Sequence, residues 1–166
     1  MGQKIFYVLT IQNVTMPIEI VHFKEGNATV IPLLIESELF ESIANHAEED
    51  DIVTKEDFFN SNFLPGCLEY PTKDVFSFVR NNLDSFAMIG YVEELGMAKN
   101  IGKPFFFTNR CKVDTSNLSE IDIHETFNSS VTFTDIIRNK TRYQDYYTAE
   151  KNYFKELQEA YFTKNK

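Results

Sequence analysis

Apolar residues follow two different periods along this chain, and the change from one to the other divides it. Three early runs, KIFYVLTI (4–11), PIEIVHF (17–23) and ATVIPLLI (28–35), are rich in Ile, Val and Phe and read as strands. Glu25-Gly26-Asn27 between the last two has the composition of a hairpin turn. In the middle run Ile18, Ile20 and His22 alternate with Glu19, Val21 and Phe23. That alternation suits an antiparallel strand with one face less buried, rather than a central parallel strand.

From residue 36 the spacing becomes helical. Leu39, Phe40, Ile43, Ala44 and Ala47 recur on one face, Ser37 is placed to cap the helix, and the element ends in the acidic run Glu48, Glu49, Asp50 and Asp51. Thr54 ahead of Lys55-Glu56-Asp57 is a weak capping box for a short helix through Phe58 and Phe59. After a loop broken by Pro65-Gly66 and Pro71, Thr72 can cap a helix whose Val75, Phe76, Val79 and Leu83 form one stripe. FAMIGY (86–91) reads as a buried strand that leaves the interior at Glu93-Glu94, PFFFTN (104–109) as another strand, and 110–130 as mostly loop. Tyr143, Tyr146, Tyr147, Glu150, Phe154, Leu157 and Tyr161 recur at heptad-like spacing, with Glu150 the polar exception, and predict a long C-terminal helix. The expected class is α+β: N-terminal antiparallel strands, then mixed helices and strands, then that helix, in one domain over 1–166.

Composition and charge narrow the function classes. An apolar fraction of 43%, with 16 Phe and 8 Tyr, supplies the volume of a globular core. A net charge of −9 repels phosphate backbones and anionic lipid, which argues against nucleic acid and membrane surfaces as partners. The apolar run after Lys4 is too short for a signal segment or a span, so the expectation is a soluble, cytoplasmic protein. In that compartment Cys67 and Cys111 are expected to be reduced, buried and inert, and the five Asn-x-Ser/Thr triplets to carry no glycans.

Motifs for chemistry are sparse. GMAKNIGKP (96–104) has five residues between its glycines where a phosphate loop has four, and Pro104 stands where that loop needs a hydroxyl. His22, His46 and His124 lack metal-ligand spacing, and no nucleophile elbow is present. Glu93 and Glu94 are adjacent, which points them apart on a strand and about 100° apart on a helix, so they are poorly placed to act as an acid/base pair. No catalytic residue, metal ligand or cofactor is therefore assigned. The acidic run Glu48 to Asp51 is read first as a solvated helix end, and its functional reading is a docking site for a basic protein.

NNLDSFAMIGYVEELGMAKN resembles a "leucine, phenylalanine, glycine, two residues, glutamate" segment late in membrane-type carbohydrate sulfotransferases. RNKTRYQDYYTAEKNYF resembles the closing helix of that family, and TKEDFFNSNFLPGC its preceding segment. Gly90, Glu93, Asp145 and Ala149 are the matching positions, and the resemblance covers residues 54–162. It implies sulfotransfer chemistry, yet the family's phosphate-binding loop, and the Arg and Ser that hold the donor's 3′-phosphate, have no counterpart before residue 54, where VLTIQNVTMPIEIVHF has Gln12 and no arginine. Two readings follow. The first is a small acidic interaction domain that masks a basic partner, as immunity and antitoxin-type proteins do. The alternative is a divergent or truncated sulfotransferase-like protein without a complete donor site.

Overall fold

In a computed structural model of the chain, which describes residues 3–47, 52–60, 72–94, 97–100, 105–108, 111–113 and 151–164, the first apolar run is strand β1 (Gln3–Thr10). It lies inside a seven-stranded antiparallel sheet with β2 (Phe23–Glu25), β3 (Ala28–Pro32), β4 (Phe86–Glu94), β5 (Met97–Asn100), β6 (Phe105–Thr108) and β7 (Cys111–Val113). The order is β2-β3-β1-β4-β6-β7, with β5 pairing the far half of β4. Among the described residues, helices α1 (Ser37–Ala47), α2 (Lys55–Phe59), α3 (Thr72–Asn82) and α4 (Lys151–Lys164) join this sheet in an α+β architecture.

The hairpin between β2 and β3 follows from its turn. Glu25 pairs with Ala28 across Gly26-Asn27, and Gly26 has φ 59°, the left-handed value a two-residue loop needs at its first position. The expected strand over 17–23 shrinks to Phe23 at its end. Pro17 has no N–H for a ladder and its carbonyl instead accepts a turn bond from Ile20 N at 3.2 Å, so Ile20 and Val21 are buried in succession while Ile18 is exposed. His22 thus precedes β2 instead of lying on a strand, with Nδ1 at 2.9 Å from the Ile20 carbonyl.

Alternation along the sheet sorts two apolar faces. Phe6, Val8, Ile31, Phe86, Met88, Phe105 and Phe107 meet Phe40, Ile43, Ala44 and Ala47 of α1, Phe58 of α2, and the Val75, Phe76 and Val79 stripe of α3 with Leu83 beyond it. Phe58 packs its ring 5.1 Å from Phe105 and 5.9 Å from Phe107. The opposite face, with Tyr7 beside Ile89, Leu9 between Ala87 and Val30, and Phe23 beyond Val30, is also buried. The less buried face expected of the second run has no strand to lie on, because residues 17–22 form a turn and loop; Phe6–Thr10 of β1, all of β3 and residues 86–90 of β4 bury both faces. On α4, Gln158 is buried and its amide donates to the Glu19 carbonyl, tying this helix to the turn before β2.

Two helix starts are informative. Phe40 N bonds the Glu36 carbonyl at 2.9 Å, so α1 begins one residue ahead of the expected Ser37 cap. At α2 the capping box is complete: Thr54 Oγ1 accepts from Asp57 N at 3.1 Å and Asp57 Oδ2 accepts from Thr54 N at 3.0 Å. Strand β4 holds a closer constraint. A Cβ on Gly90 would sit 2.8 Å from Phe40 Cε1 and 2.9 Å from Phe6 Cδ1, so α1 reaches the sheet only because this position has no side chain.

Candidate functional site

Two polar constellations stand out among the described residues. The first closes the junction of β1, α3 and β4. The last carbonyls of a helix have no partner within it, and here side chains from elsewhere supply one. Gln12 Nε2 donates to the Asn82 carbonyl at 2.9 Å, and Lys55 Nζ, buried on α2, donates to the Leu83 carbonyl at 2.5 Å and lies 3.5 Å from Asp84 Oδ1. Gln12 Oε1 turns to the next two backbone donors, Asp84 N at 2.8 Å and Ser85 N at 3.3 Å. Thr10 Oγ1 donates to the Ser85 carbonyl at 2.7 Å and accepts from Gln12 N at 3.1 Å. These side-chain atoms are committed to backbone groups, so the cluster orders a helix-to-strand turn rather than presenting groups to a substrate.

The second constellation joins the end of α1 and the start of α2 to β7. Lys112 Nζ donates to the Ala47 carbonyl at 2.9 Å, placing a cation at the negative end of α1. Lys112 N donates to the Val53 carbonyl at 2.7 Å, and Thr54 forms an antiparallel bridge to Cys111. Asp57 Oδ2 accepts from both Thr54 N and Val53 N, the latter at 3.3 Å. The bonds from the Thr54 backbone and hydroxyl side hold the Asp57 carboxyl below its ordinary 3.8. Glu48, Glu49, Asp50 and Asp51 lie outside the described residues; Ala47 on one side and Ile52 on the other are both buried.

The remaining sequence candidates separate. Strand β4 runs on through Glu93 and Glu94 rather than ending ahead of them, Glu93 pairing with Gln3 and Ala98 and Glu94 with Met97. The stretch that looked in passing like a phosphate loop contains β5, paired along β4. His46 accepts or donates at Nδ1 with the Ser42 carbonyl, 2.8 Å away in the last turn of α1. Cys111 is exposed and its thiol free, which corrects the expectation of a buried cysteine. It lies on β7, a strand inside the stretch expected to be mostly loop. Cys67, His124, Asp145 and Ala149 fall outside the described residues. Among the described residues no cluster of three His, Cys, Asp or Glu is close enough to hold a metal ion, and no helix is long and apolar enough to cross a membrane.

Sequence reasoning missed Gln12 and Lys112 as organising residues. The alternation around 110–113 was too short to reveal β7, and nothing local to Gln12 signals partners some 70 positions away. Gly90, one of the positions behind the sulfotransferase resemblance, has a requirement set by Phe40 and Phe6. Compared with known protein families, curated proteins and solved structures, the chain matches none.

Proposed function

We propose that this chain is a non-catalytic, cytoplasmic interaction domain that masks a basic protein, docking it through Glu48, Glu49, Asp50 and Asp51. One observation carries the reading: four consecutive acids in a chain of net charge −9 are bracketed by anchored neighbours. Ala47 is buried and its carbonyl is held by Lys112, and Ile52 is buried on the other side. Anchoring the flanks lowers the ordering cost of docking, and a dense patch of one sign steers a basic partner and fixes its register.

The test is affinity capture with the wild-type chain, with E48Q/E49Q/D50N/D51N, and with E41Q/D74N/E156Q/E159Q, whose altered residues are exposed and whose net charge matches the first variant. A basic protein held by the wild type and the control but released by the first variant supports the assignment. Equal retention by both variants, or equal loss from both, overturns it. Calorimetry with adenosine 3′,5′-bisphosphate adds an independent arm, since micromolar binding of this nucleotide would replace the interaction-domain reading with the sulfotransferase-like one.

A further inference from the structure

Among the described residues the sheet order ends at β7, and an end strand is a template for another strand. Its outer side meets Val53 and Thr54: Lys112 N bonds the Val53 carbonyl, and Thr54 stands opposite Cys111. Bonding alternates along an antiparallel pair, so with the Val53 carbonyl turned to β7, the N–H and carbonyl of Thr54 are directed away from it. Those are the groups a further strand would use. Both are spent inside α2, the N–H on Asp57 Oδ2 at 3.0 Å and the carbonyl on Phe58 N at 3.1 Å. Phe58 in turn is buried against Phe105 and Phe107 of the adjacent β6, which fixes the helix over the edge.

We propose that the Thr54–Asp57 capping box is a lock on the β7 edge, a conformational device in which the first turn of α2 holds Val53 against β7 and withholds Thr54 from strand addition. Opening the box uncovers the edge. The Asp57 carboxylate is the pivot because one oxygen receives the N–H groups of both Val53 and Thr54. Phe58 N and Asn60 N, which bond the Thr54 and Glu56 carbonyls, report on α2 itself, while Lys112 N reports on the edge.

Residue-resolved amide hydrogen exchange tests the coupling. In Asp57→Ala, exchange at Lys112 is expected to rise about fivefold together with Phe58 and Asn60, the size of change typical of a lost helix cap. Val8 and Met88, paired in the sheet centre, should keep their wild-type rates, and Asp57→Asn, which retains a side-chain oxygen, should restore most of the protection at Lys112. A wild-type rate at Lys112 while Phe58 and Asn60 quicken would show a cap private to α2. An equal rise at Val8 and Met88 would show general loosening. Either result overturns the lock.

Discussion

Replacing Gly90 by alanine adds one methyl at the place where α1 rests on the sheet. The ideal Cβ falls 2.8 Å from Phe40 Cε1, 3.0 Å from Phe40 Cδ1 and 2.9 Å from Phe6 Cδ1, closer than carbon atoms approach without displacement. The two rings pack tilted by 42° with centroids 5.0 Å apart and both are buried, so neither swings aside toward solvent without disturbing the core. Overpacking of this kind costs about 1–3 kcal/mol. Alanine recovers about 0.5–1 kcal/mol of the entropy penalty of a strand glycine. The net expectation is a loss of about 0–2.5 kcal/mol, or a fall in Tm of up to about 10 °C for a chain of this length. The cause is separable from general damage to β4 by a double-mutant cycle with Phe40→Leu, which removes the clashing ring atoms. If the ring is the obstacle, Gly90→Ala should cost less in the Phe40→Leu background, with a coupling of about 0.5–2 kcal/mol. Thermal or urea unfolding reads both. A Gly90→Ala chain more stable than the wild type, or strictly additive effects in the cycle, would refute the packing argument for this glycine.

Gln12→Ala leaves Asp84 N, Ser85 N and the Asn82 carbonyl without their side-chain partner, and should lower the urea midpoint by an amount equivalent to about 1–3 kcal/mol; a change under about 0.5 kcal/mol would mean water replaces the amide at no cost. Because the Asp57 carboxyl is held below its ordinary 3.8, its bonds contribute stability that is complete above that value and is lost as pH falls through the lowered one. The unfolding midpoints of wild type and Asp57→Asn, compared from about pH 6 to about pH 2, should therefore differ by a constant amount down to about pH 4 and converge below it. A gap that persists in acid would place its origin elsewhere.

Much of the helical half was legible from the sequence, because each helix there carries its signal within one or two turns. The α1 stripe, the Thr54 box and the Val75, Phe76, Val79 and Leu83 stripe all appear where periodicity places them. The sheet was harder to read. Residues 17–22 have the apolar content of a strand, yet a proline without an N–H and a local turn bond win over that content. Three-residue β7 is too short to show a period, and β5 lies in a stretch whose glycines and lysines resemble a phosphate loop. The acidic run was visible as charge alone; that Lys112 sits at its N-terminal flank depends on a contact across 65 positions. Gln12 is the sharper case, since an amide that substitutes for backbone partners has no signature apart from the turn it completes.

The pairing of β1 with β4 also sets a timetable for synthesis. Leu9 pairs with Ala87 and Gln3 with Glu93, so one whole flank of β1 stays without its neighbour until about 80 further residues have been translated, roughly 4–16 s at about 5–20 residues per second. The β3 flank can close sooner, through Thr10 with Thr29 and Tyr7 with Pro32. During that interval the nascent chain carries a half-finished hairpin sheet with Tyr7, Val8 and Leu9 among its unsheltered residues. Its vulnerability to chaperone capture or misassembly should therefore be highest before β4 emerges from the ribosome and fall once it has paired.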